Sequence, residues 1–108
     1  MLNRKTLYAI YLLHQARSLC AEAMCSAIET DRTLVLDHIR FEGYLSDASK
    51  IVSTLDETSL LKLLADLSEL VAPLSLPGSI KKLFPRNMHQ FNCSYYTWRK
   101  RMKSTYVE

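Results

Sequence analysis

Apolar residues recur along this chain at the three- and four-residue spacing of α-helices. In the first stretch, about Thr6 to Glu29, Tyr8, Leu12, Ala16, Leu19, Ala23 and Ala27 fall in register, flanked by Leu7, Ile10 and Leu13. A face that broad needs more than one neighbour to cover it. A second helix is expected from a cap at Asp31 or Thr33, through Val35, Ile39 and Phe41, to Gly43, where a left-handed stop is easiest. A third begins after Ser46 and carries Ala48, Ile51, Val52 and Leu55. The clearest stripe belongs to a fourth, Thr58 to Val71, with Leu60, Leu63, Leu64, Leu67, Leu70 and Val71 on one side and Asp56 as its N-cap. Pro73, Pro77 and Gly78 end it, because proline lacks an amide hydrogen and pushes the residue before it out of helical dihedrals. Beyond them Ile80, Leu83 and Phe84 form a short amphipathic segment and Pro85 to Phe91 reads as a connector. Ser94 is the expected cap of a last helix running to Lys103.

Composition agrees with an all-α fold of about five helices. The chain has 108 residues, enough for one domain with one core. Its 48% hydrophobic and 23% charged content, with only 2 glycines, argues against disorder and against a turn-rich β fold. The 3 cysteines are an odd number without C-x-x-C spacing, and they read as reduced, buried thiols in a cytoplasmic protein. Arg4-Lys5 ahead of Leu7 to Leu13 faintly imitates a secretion signal. The apolar run is cut by His14, Gln15 and Arg17, too soon for a signal core or a membrane span.

Charge divides the chain into two poles. From Ile28 to Val71, acids such as Glu29, Asp37, Glu42, Asp47, Asp66 and Glu69 outnumber Arg32, Arg40, Lys50 and Lys62. Over the last thirty residues, Lys81, Lys82, Arg86, Arg99, Lys100, Arg101 and Lys103 meet only Glu108. The net charge of +3 hides this split, which points to a polyanion or acidic partner at the basic end. On a helix from Ser94, Arg99 and Lys103 stand at i,i+4 against successive phosphates, with Lys100 and Arg101 on the flanks. Ile80 to Phe84 and Ser94 to Lys103 then make a helix-turn-helix-like pair, although Pro85 to Asn92 is long for its turn. Trp98 and the neighbouring tyrosines are expected to pack inward more than to stack on bases.

Nothing in the pattern points to catalysis. There is no Gly-rich phosphate loop and no nucleophile elbow, and the carboxylates fall on helix faces expected to be exposed. His14, His38 and His89 lack H-x-x-x-H or H-E-x-x-H spacing, so no metal and no cofactor is expected in this chain.

The run from Ser46 to Leu63 (SDASKIVSTLDETSLLKL), followed by Ser68-Glu69-Leu70-Val71 and Ile80 to Leu83, resembles the middle of the FlhD subunit of the FlhD/FlhC family of transcriptional activators. Tyr11-Leu12-Leu13 with Arg17 resembles that family's first helix. The resemblance implies an all-α, homodimeric subunit that joins a zinc-containing FlhC-like partner and RNA polymerase. Such a complex switches on flagellar or, in relatives on conjugative elements, transfer genes. Family members with a cysteine after the Leu-Val of the fourth helix can link subunits. Here Ala72 stands at that position, so no such bridge is expected.

The resulting expectation is a cytoplasmic, non-catalytic activator subunit without membrane contact, with helices for assembly over 1–72 and a basic tail on double-stranded DNA over 79–108. The residues assigned to DNA are Lys81, Lys82, Arg86, Ser94, Tyr95, Arg99, Lys100, Arg101 and Lys103. Those assigned to the homodimer seam are Tyr8, Leu12, Ala16, Leu19 and Ala23. Two alternatives stand beside it: a small helical chaperone or adaptor for a protein client, and a stand-alone helix-turn-helix regulator.

Overall fold

The computed structural model describes residues 3–27 and 32–105, with the side chains of 3–23 and 35–102 among them. These residues form five α-helices and one 3-10 turn, and no strand. Helix α1 (Arg4–Ala27) lies at the centre of the arrangement. Asn3 caps its start, its Oδ1 accepting from the Thr6 amide at 2.8 Å and the Thr6 hydroxyl at 3.0 Å. The broad apolar face foreseen from sequence is real, and Tyr8, Ala9, Leu12, Leu13, Ala16 and Cys20 are all buried.

What covers that face corrects the homodimer seam. Helix α1 is in contact with α2 (Arg32–Ile51), the 3-10 turn (Val52–Thr54), α3 (Glu57–Val71), α4 (Gly78–Lys81) and α5 (Met88–Thr105) of its own chain. Tyr8, Leu12 and Ala16 retain 3%, 4% and 0% exposure, so a second copy finds nothing there to cover. Leu19 and Ala23 are half-buried on the same helix. Five elements pack around α1, and the core is made within the chain.

Helix α2 is the second correction. It runs unbroken from Arg32 to Ile51, through Gly43 and Ser46, where the sequence reading places a stop and a fresh start. Phe41, Leu45 and Ala48 are spaced four and three residues apart and are 0%, 0% and 2% exposed against the core. Burying them outweighs the ~1 kcal/mol that a mid-helix glycine costs. A Cβ built on Gly43 meets nothing within 4 Å, and its φ is not positive. Gly43→Ala is therefore expected to raise stability by roughly 0.5–1 kcal/mol, measured as a shift in the urea midpoint at unchanged slope. The suggested cap at Asp31 lies outside the described residues, and Thr33 lies within the helix.

Helix α3 matches its sequence reading closely. The Asp56 carboxylate accepts from the Ser59 amide at 2.8 Å, and this bond holds the carboxyl below its usual range. Leu60, Leu64, Leu67 and Val71 of the expected stripe are buried, Leu63 is half-buried and Leu70 is exposed. After it, Leu74 and Leu76 fold back onto the core, and Asp37 of α2 fixes their loop by accepting from the Ser75 amide at 2.8 Å. Asp37 is 9% exposed, so it departs from the expectation that the carboxylates lie on open helix faces. Its second contact is Arg40, 3.8 Å away. Among the described residues no helix is long and apolar enough to cross a membrane.

Candidate nucleic-acid interface

The basic end is built from α4 and α5. Helix α4 is a single turn, with Ile80 buried beneath it and Leu83 half-buried behind it. Lys81 Nζ donates to the Ala72 carbonyl at 3.0 Å, placing a cation on the C-terminal end of α3, where helix carbonyls carry partial negative charge. Phe84 then inserts edge-on against Phe41, with ring centroids 6.2 Å apart.

Helix α5 starts at Met88, two turns before the expected Ser94 cap. Its cap is Asn87, whose Oδ1 accepts from the Gln90 amide at 2.9 Å. The Gln90 side chain reaches back to accept from the Arg86 amide at 2.8 Å. The arrangement is a variant of the capping box, and the signal Asn87-x-x-Gln90 ahead of Phe91 was present in the sequence. Ser94 sits inside the helix, and its side chain bonds to the Tyr8 phenol. Burial pushes that phenol above its ordinary range, and the Ser94 bond offsets part of the rise.

The early start sets which face of α5 turns inward. Phe91 and Tyr95 are 0% and 4% exposed, and Trp98 packs beside them against Tyr8 at a centroid distance of 5.3 Å. Tyr95 is thus removed from the DNA-contacting set, since its ring is enclosed by Tyr8, Phe91 and Trp98. The inward packing expected for Trp98 is what the structure shows. Lys5 lies over this cluster, its Nζ 5.9 Å from the Tyr95 ring centre, and pairs with Glu57 of α3.

With that face buried, the cations separate. Two residues of helix rotate by about 200°, so Arg99 and Arg101 leave α5 on opposite flanks. Arg99 is half-buried on the flank of Asn92 and Tyr96, and the Lys103 side chain lies outside the described residues. Lys82 and Arg86 are exposed and Lys81 is half-buried, and all three line a cleft of about 560 Å³ between α4 and α5. His89, Gln90, Cys93 and Ser94 complete its polar wall, and among the described residues no carboxylate contributes to it. A second hollow of about 310 Å³ adjoins the first through Cys93 and Ser94, and Thr97, Trp98 and Arg101 line it. Arg101 therefore joins the cleft side, whereas Lys100 is exposed on the outward side of the helix. The expected helix-turn-helix does not form, because a four-residue turn is too short to brace a recognition helix.

The cysteines differ from one another. Cys20 is 0% exposed, with its Sγ 3.7 Å from the His38 carbonyl. Burial first, and the Glu42 carboxylate second, push this thiol up to about 11. Cys93, expected to be buried, is exposed beside His89, with Sγ and Nε2 3.7 Å apart. The Cys25 side chain lies outside the described residues. In a Cys25→Ser background at pH 8, iodoacetamide followed by intact mass should add one group quickly, at Cys93. A shift from 9.0 to about 11 leaves Cys20 about a hundredfold less thiolate before burial slows it further. Equal labelling of both thiols would contradict this placement. Among the described residues no group of three or more His, Cys, Asp or Glu side chains is placed to hold a metal.

No family model, curated protein or solved structure matches this chain. The likeness to FlhD rests on the residues quoted above alone.

Proposed function

We propose that this chain is a non-catalytic, DNA-binding subunit of a transcriptional activator, and that it holds the phosphate backbone of double-stranded DNA in the cleft between α4 and α5. The observation that carries the reading is the cleft wall: Lys81, Lys82, Arg86 and His89 converge there, with no carboxylate among the described residues that line it. Phosphate contacts position a protein on DNA without reading sequence. Base readout then falls to a second subunit, and an FlhC-like protein holding zinc, together with RNA polymerase, fits that role. A cytoplasmic site of action on flagellar or conjugative-transfer promoters follows from the same resemblance.

The test is fluorescence anisotropy of a labelled duplex titrated with the full chain at several salt concentrations. If Lys82, Arg86 and Arg101 each neutralise a phosphate, log K should fall against log salt with a slope of roughly −3. Absence of binding at 50 mM salt, or binding that salt does not weaken, would overturn the proposal.

A further inference from the structure

The outer sides of α2 and α3 enclose a groove of about 250 Å³ that shares no wall residue with the cationic cleft. Its apolar walls include Ile51 and Leu70, which are 45% and 44% exposed, with Tyr44 and Leu63 half-buried below them. A single exposed leucine on a helix is ordinary, but two aliphatic side chains sharing one concavity form an apolar surface that no described residue covers. Among the described residues, the charged ones in the wall are Asp47 and Asp66, both exposed, one from each helix. Lys50 and Lys62 belong to the same two helices and do not contribute to the wall. The groove is thus apolar inside and acidic at its rim, the reverse of the cleft across α4 and α5.

We infer that this groove docks a basic amphipathic helix of a partner protein. Two aliphatic side chains of that helix, one turn apart, fill the space between Ile51, Leu63 and Leu70, while flanking lysines or arginines meet Asp47 and Asp66. A cavity of ~150 Å³ accommodates a benzene-sized group, so this one has room for such anchors. Its walls are two helices whose backbone groups are already paired internally. An extended peptide would find no sheet edge there, whereas a helix satisfies its own backbone and presents anchors at i and i+3 or i+4. A second copy of this chain is the wrong occupant, because a two-fold contact through the groove would set Asp47 and Asp66 against their own copies. The inference is independent of the DNA-binding proposal, since it uses neither α4 nor α5.

The experiment titrates the full chain against two labelled helical peptides with the same leucine positions, one filled out with lysine and the other with glutamate. Binding is followed by anisotropy and mapped by amide chemical shifts. The Leu-Lys peptide should bind with one-to-one saturation and shift resonances on both sides of the α2/α3 groove, and the Leu-Glu peptide should leave those resonances unmoved. Asp47→Asn/Asp66→Asn should weaken the Leu-Lys complex by about tenfold, and so should Ile51→Ser/Leu70→Ser. All four positions are exposed, and circular dichroism checks that each variant keeps its helices. Affinity unchanged in both variants, shifts confined to other surfaces, or no binding would overturn the inference. So would self-association of the free chain that Leu70→Ser abolishes, since it would make a second copy the occupant.

Discussion

Phe41→Ala is expected to lower the stability of this protein by about 3–5 kcal/mol, the cost of removing a buried phenyl ring and leaving its space. Phe41 is 0% exposed, lies on the core-facing stripe of α2, and meets the Phe84 ring edge-on. The side chain therefore joins α2 to the segment that leads into α5. A domain of this size has a total stability of about 5–15 kcal/mol, so the loss is a large share of it. Urea denaturation followed by circular dichroism measures the change. Phe41→Leu, which keeps most of the volume, should cost clearly less. If the alanine variant lost under about 1 kcal/mol, Phe41 would not be the contact between α2 and the Phe84 segment described above.

The second large effect concerns DNA. Lys82→Ala/Arg86→Ala should weaken duplex binding by roughly fifty- to a hundredfold at 0.1 M salt and flatten the salt slope by about 2. The estimate assigns one phosphate to each cation and about 0.9 decade to each phosphate at that salt concentration. Both side chains are exposed, so helicity and the thermal midpoint should hold. Arg99→Ala is the informative control. Arg99 leaves α5 on the flank away from the cleft, and its removal should change affinity by less than about twofold. Attraction by the basic end as a whole predicts that Arg99→Ala costs as much as Lys82→Ala or Arg86→Ala alone, and that result would sink the cleft as the binding surface.

Periodicity located most of the helices. The α3 stripe, its Asp56 cap and its proline stop depend on residues close in sequence, where capping and backbone constraints act directly. Boundaries failed where local and long-range effects disagreed. Gly43 is a good local stop, but Phe41, Leu45 and Ala48 on either side of it share one buried stripe, and core burial carries the helix through. The late start given to α5 had another cause. The true cap is the Asn87 and Gln90 pair, seven residues before Ser94, and a helix begun at Ser94 omits Phe91, the buried residue that marks the side of Tyr95 as the inward face.

The candidate site was legible as a composition and not as a shape. Lys81, Lys82, Arg86 and Arg101 were named from charge alone, and they do line adjoining hollows. Arg99 and Tyr95 were named with them, and the inward turn of Phe91, Tyr95 and Trp98 separates both from the cleft. The acidic groove between α2 and α3 was not foreseen, because Ile51 and Leu70 read as ordinary members of apolar stripes.

The sequence by itself determined the helical class, the breadth of α1's apolar face, the ends of α3 and the separation of acidic from basic segments. Each follows from spacing, from capping chemistry or from residue charge, which act over one or two turns. Only the tertiary structure decided what covers α1, which cations share a cleft and which thiol is open to solvent. Those outcomes depend on which helices pack side by side, and burial is a property of pairs of elements far apart in the chain.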